Sequence, residues 1–146
     1  MIRPAERKDT PRIWSLICEL AEYERLSHAV TGSLEALERH IFDDRYCSVF
    51  VYVEAGEVIG YTLSFPIYST FRTLPAIWLE DLYVTPGHRG RGFGKALLTN
   101  LIEYCRANNY SRLDWSVLSW NEPSIEFYRS MGAEVMPDWR ICRISF

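Results

Sequence analysis

The stretch that most constrains the fold is residues 80–98, EDLYVTPGHRGRGFGKALL. A strand-like apolar run is followed by a Pro-Gly break, and three glycines then alternate with larger residues before a helical pattern begins. Glycine loses more conformational freedom on folding than other residues, so this density indicates a backbone with unusual angles or a close approach to a ligand. We therefore expect a strand, a tight turn and a helix N-terminus in direct succession.

The rest of the chain alternates between helical and β-type hydrophobic patterns. Predicted helices begin at Asp9 or Thr10, at Ser33, after the glycines and at Asn121, and predicted strands cover 1–5, 47–54, 57–69, 76–84, 112–118 and 139–146. The run 76–84 is almost continuously apolar, as expected for a central strand that is covered on both faces. This order predicts an α/β (α+β) fold, with a mixed sheet and flanking helices, in one domain over residues 1–146.

Composition excludes several classes of function. The net charge of −3 argues against nonspecific nucleic-acid binding, which needs a basic surface. Membrane spans need about 18 or more consecutive apolar residues, and the chain contains no such run. The four cysteines are scattered without metal-ligand spacing. We expect a cytoplasmic protein with free thiols, no metal, and neither nucleic acid nor a membrane as a partner.

The glycine-rich turn is typical of an anion site. A helix N-terminus presents unpaired backbone N–H groups and the positive end of the helix dipole, and Arg89 and Arg91 add charges that can pair with phosphate. The stretch departs from the Walker A loop because Arg89 replaces its first glycine and Ala96 follows Lys95. It departs from the dinucleotide fingerprint because Lys95 replaces the third glycine. A structural tight turn is the alternative interpretation, with both arginines as solvated surface charges.

Residues 89–94 (RGRGFG) resemble motif A of the GNAT N-acetyltransferases, whose pattern is Gln or Arg, two residues, Gly, one residue, then Gly or Ala. Residues 3–26, 78–84 (WLEDLYV) and 120–133 (WNEPSIEFYRSMGA) are similar to the spermidine/spermine (diamine) and thialysine acetyltransferase branch. The resemblance covers essentially the whole chain. It implies the GNAT fold, a sheet of about six to seven strands with about four helices, splayed between the strands at 78–84 and 112–118.

The resemblance also implies acetyl-CoA as the co-substrate. The backbone of residues 82–84 would bond its pantetheine arm, and N–H groups of residues 89–95 would bond its pyrophosphate. The implied cofactor-binding residues are Leu82, Tyr83, Val84, Arg89, Gly90, Arg91, Gly92, Phe93, Gly94, Lys95, Asn121 and Ser124. For Asn121 the alternative role is to cap the helix that follows it.

The expected chemistry needs two proton transfers. An amine with a pKa of about 10 must lose a proton before it attacks a thioester. By resemblance, Glu80 is the base, directly or through water, and Tyr128 protonates the departing sulfur. Tyr23, Glu24 and Asp81 are implied to contact the acceptor. Because Glu80 and Asp81 are adjacent on a strand, we expect at most one of them to face a given pocket.

The resemblance therefore implies an acetyl-CoA-dependent N-acetyltransferase that acts by direct attack. Its acceptor would be a small primary amine, such as a diamine, a polyamine or a thialysine-like amino acid, and the resemblance implies a homodimer. Ser69 and Thr70 stand near the place of an acidic residue in the diamine branch, which leaves the acceptor open. The alternatives are an acetyltransferase of protein N-termini or lysine side chains, and a CoA-binding sensor without turnover.

Overall fold

One mixed sheet organises the chain, and its strands lie in the order β1-β2-β3-β4-β5. The computed structural model describes residues 1–146. The strands are β1 (Ile2–Pro4), β2 (Ser48–Glu54), β3 (Glu57–Ser69), β4 (Leu74–Val84) and β5 (Leu113–Asp114). The helices are α1 (Thr10–Tyr23), α2 (Leu34–Phe42), α3 (Phe93–Ala107) and α4 (Glu122–Ser130). Strands β1 to β4 pair antiparallel and β5 pairs parallel to β4, which confirms the predicted mixed sheet with helices.

Helices α1 and α2 form where the apolar spacing predicts them. Ile13 and Leu16 of α1 are fully buried. The Oγ of Ser33 accepts a hydrogen bond of 3.2 Å from the N–H of Ala36, so this residue caps α2 as expected. Ile41 on the inner face of α2 joins the same hydrophobic core as Ile13 and Leu16.

The two faces of the sheet are covered by different helices. Val49 and Val51 of β2 belong to the core that includes residues of α1 and α2. Phe50 and Tyr52 alternate with them and pack on α3, with ring-centroid distances of 5.6 Å to Tyr104 and 4.7 Å to Phe93. The sheet is therefore a middle layer, and α3, which follows the glycine-rich turn, lies on the face opposite α1 and α2.

The chain divides into two compact units, Met1–Ser116 and Val117–Phe146. The first contains the sheet and helices α1 to α3, and the second contains α4. Helix α4 is followed by Gly132 with a φ of 88°, the left-handed conformation typical of a glycine that caps a helix C-terminus. None of the helices combines the length and the apolar character needed to cross a membrane.

Three strand predictions need correction. Strand β4 is not central, because β3 is the middle strand of the sheet and the other edge of β4 pairs with β5 only at Ile77 and Trp78. The sheet has five strands rather than six or seven, and the strand expected at 112–118 covers only Leu113–Asp114. The strand expected at 139–146 is absent, and its residues Trp139 and Ile144 are 77% and 85% exposed. An apolar, β-rich sequence becomes a strand only where a neighbouring strand supplies hydrogen-bond partners, and residues 139–146 pair with none.

Gly60 should be required for the packing of β3 on β4. A Cβ at this position would lie 2.6 Å from the carbonyl oxygen of Tyr83, which is backbone and cannot rotate away. We expect Gly60→Ala to lower the free energy of unfolding by about 1–3 kcal/mol, as measured by urea denaturation. Gly87→Ala is the matched control, because a Cβ there meets no atom within 4 Å and its φ is not positive. Equal stability of the two variants would contradict this account.

Candidate functional site

An acidic pocket of about 380 Å³ lies in the first unit, between the end of α1 and the middle of β4. Its polar lining contains three carboxylates, those of Glu24, Glu80 and Asp81. Its apolar wall is formed mainly by Trp14, Ile17, Leu20, Leu26 and Val30. No lysine, arginine or histidine lines it. A pocket of this size with clustered negative charge is suited to a small cation that carries an apolar chain.

A register shift in the sheet brings two of these carboxylates to one pocket. Leu63 of β3 pairs with Asp81, but the next residue, Ser64, pairs with Leu79, so Glu80 has no partner residue in β3. Such a bulge bends the strand and changes the direction of its side chains. The expectation that at most one of Glu80 and Asp81 faces a given pocket is therefore wrong, because strict alternation holds only in a regular ladder.

Each of these β4 carboxylates accepts a hydrogen bond from an aromatic side chain. Trp78 Nε1 donates to Glu80 Oε2 at 2.8 Å, and the hydroxyl of Tyr61 donates to Asp81 Oδ2 at 2.9 Å. Burial raises the pKa of Asp81 from 3.8 to about 6; the bond from Tyr61 opposes this shift, and repulsion from Glu80 and Glu24 adds to it. Asp81 is thus the carboxylate whose charge changes just below neutral pH.

Helix α1 supplies the third carboxylate at its C-terminal end. Burial raises the pKa of Glu24, and repulsion from Glu80 raises it further. Tyr23, the other acceptor-side residue predicted here, is not among the residues that line the pocket. Its ring lies under the guanidinium of Arg89, with the Arg89 Cζ 4.8 Å from the ring centroid. The structure thus brings together Glu24, Glu80 and Asp81 and places Tyr23 beside the glycine-rich turn.

The glycine-rich turn exposes backbone donors as predicted. Gly90 and Gly92 have φ values of 74° and 85°, a conformation that other residues rarely adopt. The N–H groups from Gly90 to Lys95 donate to no backbone carbonyl, whereas the N–H of Arg89 is already bonded to Pro86 at 3.2 Å. The available donors therefore begin at Gly90, and they lie at the N-terminus of α3, where the helix dipole favours an anion. This arrangement fits a pyrophosphate group.

The arginine side chains of this turn are engaged within the protein. Arg89 Nε donates to the carbonyl of Val84 at 3.0 Å, which ties the turn to the end of β4. Arg91 Nη2 pairs with Glu54 Oε1 at 3.0 Å, and its guanidinium also lies over the Phe93 ring. Each arginine therefore uses a side-chain donor within the protein, while the exposed N–H groups are open to a phosphate.

Strand β4 also has a free edge beside the pocket. Its pairing with β5 is limited to Ile77 and Trp78, so no strand pairs with that edge from Leu79 to Val84. An extended amide-containing group can bond such an edge as an additional strand does. Leu82, Tyr83 and Val84, predicted to bind pantetheine, lie on this segment.

The remaining predicted residues lie on α4 in the second unit. Asn121 caps the helix, and its Oδ1 accepts a hydrogen bond of 3.4 Å from the N–H of Ser124. Tyr128 is half-buried, and its ring packs against Phe127 at a centroid distance of 5.4 Å. Residues 121, 124 and 128 are spaced by three and four positions, so they share one face of the helix.

Comparison with known proteins identifies the family. The model of the acetyltransferase (GNAT) family matches residues 11–133. The chain belongs to the GNAT acetyltransferase family. It is therefore an acetyl-transferring enzyme, and acetyl-CoA is the co-substrate that this family uses. The residues of the turn and of the free β4 edge fit such a co-substrate, because they offer backbone donors for its pyrophosphate and backbone partners for its amides.

Two relatives and one solved structure illustrate how this GNAT protein resembles others. The thialysine N-epsilon-acetyltransferase of Bos taurus is 38% identical over 143 residues, which cover 92% of this chain and 84% of that protein. The L-ornithine N5-acetyltransferase of Arabidopsis thaliana is 27% identical, over an alignment that covers 99% of this chain and 83% of that protein. The solved structure of the ribosomal-protein-alanine N-acetyltransferase of Brucella melitensis shares the fold, with a TM-score of 0.78 and 20% identity. The match covers 100% of this chain and 99% of that chain. The predicted resemblance to the diamine and thialysine acetyltransferase branch is confirmed.

Sequence reasoning missed three aromatic residues of the acidic pocket region. Trp14 forms part of the wall, while Tyr61 and Trp78 hold carboxylates. Trp14 had a detectable signal, because it lies three, seven and ten residues before Ile17, Ala21 and Glu24, on one helix face. Trp78 lies two residues before Glu80 on the same strand, a spacing that could have indicated the contact. Tyr61 had no such signal, since its contact with Asp81 depends on the register between β3 and β4.

The stability of the protein should depend on pH through Asp81. Its pKa in the folded protein, about 6, exceeds the ordinary value of 3.8. Ionisation therefore opposes folding, and the stability that Asp81 contributes below about pH 4 is lost as the pH rises through 6. We expect Asp81→Asn to match the wild type near pH 4 and to exceed its free energy of unfolding by at most about 3 kcal/mol at pH 7.

Urea denaturation at several pH values measures this difference. Glu103→Gln, which removes an exposed carboxylate on α3, is the control and should keep the wild-type pH dependence. A constant difference between Asp81→Asn and the wild type from pH 4 to pH 7 would show that Asp81 titrates at its ordinary value.

Proposed function

We propose that this enzyme transfers the acetyl group of acetyl-CoA to a primary amine of a small cationic molecule, such as a diamine, a polyamine or a thialysine-like or ornithine-like amino acid. The observation that carries this proposal is the acidic pocket, in which Glu24, Glu80 and Asp81 meet beside the free edge of β4. The thialysine and ornithine acetyltransferases among its relatives support the same class of acceptor.

The pocket supports a cationic acceptor through its electrostatics. Burial is the main cause of the raised pKa values of Glu24 and Asp81, and repulsion among the three carboxylates adds to it. An acceptor with a second ammonium group relieves this repulsion and gains charge-assisted hydrogen bonds. Glu24 and Asp81 hold that second cation, and the apolar wall with Trp14 packs against the carbon chain between the nitrogens.

Two side chains carry the proton transfers in this proposal. Glu80 removes a proton from the reacting ammonium, directly or through a water molecule, because only the neutral amine is a nucleophile. Bound acetyl-CoA supplies the acetyl group as a thioester. Tyr128 protonates the sulfur that departs. Its hydroxyl is suited to this step because phenol, with a reference pKa of about 10, is protonated at neutral pH.

The co-substrate is held by backbone groups along one continuous segment. Leu82, Tyr83 and Val84 bond the pantetheine amides at the free edge of β4, and the N–H groups of residues 90–95 bond the pyrophosphate. Asn121 and Ser124 contact the co-substrate from the start of α4. We further propose that both compact units form one domain, and that the enzyme is a cytoplasmic homodimer with no metal and with neither nucleic acid nor a membrane as a partner.

A panel of amines tests the function directly. We expect release of free CoA, measured as thiol, when acetyl-CoA is supplied with putrescine, spermidine, thialysine or ornithine. Peptides with a free N-terminus or lysine serve as competing acceptors, and preference for them would favour a protein acetyltransferase. Thermal stabilisation by acetyl-CoA without thiol release from any acceptor would favour a sensor and overturn the proposal.

Two substitutions test the assigned roles. Glu80→Gln should lower kcat by about 10²–10⁴-fold at pH 7, with partial recovery at higher pH as the free amine becomes more abundant. Tyr128→Phe should lower kcat without weakening the binding of acetyl-CoA, as measured by calorimetry. Glu103→Gln is the control and should keep wild-type rates. Unchanged turnover in either variant would remove that residue from the mechanism.

A further inference from the structure

Tyr61 is a fully buried tyrosine whose hydroxyl contacts a carboxylate that lines the acidic pocket. Its side chain is 0% exposed and belongs to the core that α1 and α2 form with the sheet. Its hydroxyl donates to Asp81 Oδ2 at 2.9 Å. Phenylalanine would fill the same core without burying a hydroxyl, which is costly to bury unless it is hydrogen-bonded. The contact with Asp81 is therefore what the hydroxyl adds at this position.

The register of the sheet creates this contact. Tyr61 pairs with Tyr83, and Leu63 pairs with Asp81, so Tyr61 and Asp81 are diagonal neighbours on one face. The bulge at Glu80 is adjacent to this contact, so Asp81 is the regularly paired residue of β4 that lies next to the bulge. The hydrogen bond from β3 thus restrains the Asp81 carboxylate at the point where the β4 backbone is irregular.

The charged surroundings of Asp81 make a donor necessary. Glu24 from α1, Glu80 from β4 and the Cys47 thiol before β2 all interact electrostatically with it, and Tyr61 from β3 is the side chain that donates to it. Burial and the neighbouring carboxylate raise the pKa of Tyr61 well above its ordinary value, so the phenol stays protonated and remains a donor. The comparable donor for Glu80 is Trp78.

We propose that Tyr61 is a positioning residue of the acceptor pocket, whose hydrogen bond fixes the Asp81 carboxylate and keeps it ionised to bind the second ammonium group of the acceptor. This proposal rests on the proposed function. Tyr61 contacts neither the reacting amine nor acetyl-CoA, and it acts through Asp81. Its contribution therefore depends on pH in a way that simple core packing does not.

The test compares Tyr61→Phe with the wild type in the full chain, using the best acceptor of the amine panel. Loss of the hydrogen bond should move the apparent pKa in the pH profile of kcat/KM for the acceptor upward by about one unit. At pH 6 the variant should be about fivefold less efficient, and at pH 8.5 the two proteins should agree within about twofold. The KM for acetyl-CoA should not change. Tyr104→Phe, a half-buried tyrosine on α3, is the control and should keep the wild-type profile.

A double-mutant cycle separates positioning from packing. In the Asp81→Asn background, Tyr61→Phe should have no further effect on the pH profile, because the group through which it acts no longer ionises. An equal loss at pH 6 and pH 8.5, or the same loss in the Asp81→Asn background, would overturn the proposal. Circular dichroism confirms that each variant is folded at each pH.

A measurement that needs no acceptor keeps this test separate from that of the proposed function. Titration of ¹³C-carboxyl-labelled aspartate by NMR, assigned with Asp81→Asn, should show a higher pKa for Asp81 in Tyr61→Phe than in the wild type. If no amine is acetylated but this pKa rises, the proposed function fails while the control of Asp81 by Tyr61 stands. An unchanged pKa would overturn the role of Tyr61 even if diamines are good acceptors.

Discussion

The pairing of β3 with β4, interrupted at a single residue, is the constraint on which the rest of the site depends. On one side of the interruption the ladder runs from Gly60 opposite Val84 to Leu63 opposite Asp81, and on the other it resumes at Ser64 opposite Leu79. The regular part holds Asp81 against Tyr61, and the irregular residue is Glu80. Strand β4 thereby supplies the restrained carboxylate of Asp81 and the carboxylate of Glu80 at the bulge. Its backbone then continues in extended form to Val84, just before the glycine-rich turn.

Much of this architecture follows from local sequence. The faces of α1 and α2 and the cap at Ser33 were predictable because periodicity and capping chemistry are local. The open N–H groups after Arg89 were predictable for the same reason, since glycines that precede a helix determine the backbone angles there. The family resemblance added the likeness to the thialysine branch, which residue patterns alone did not contain.

The failures share a physical cause. The bulge at Glu80 depends on how two strands align, and the strand expected at 139–146 depends on a neighbour that a one-dimensional pattern does not specify. The aromatic partners of Asp81 and Glu80 were missed because Tyr61 resembles any other core residue of a buried strand. The interactions of Arg89 and Arg91 with Val84 and Glu54 were likewise missed, since the sequence pattern gives a charge but not its partner.

Glu80, the residue of β4 without a partner in β3, connects the fold to the proposed chemistry. A chain that lacked Glu80 alone would have an uninterrupted ladder between β3 and β4, with one fewer carboxylate and less mutual repulsion at the pocket. That chain would also have lost the proposed base and the acceptor of the Trp78 hydrogen bond. The interruption of the ladder and the proposed base are therefore the same residue, and a change that makes the ladder regular by removing it removes the base as well.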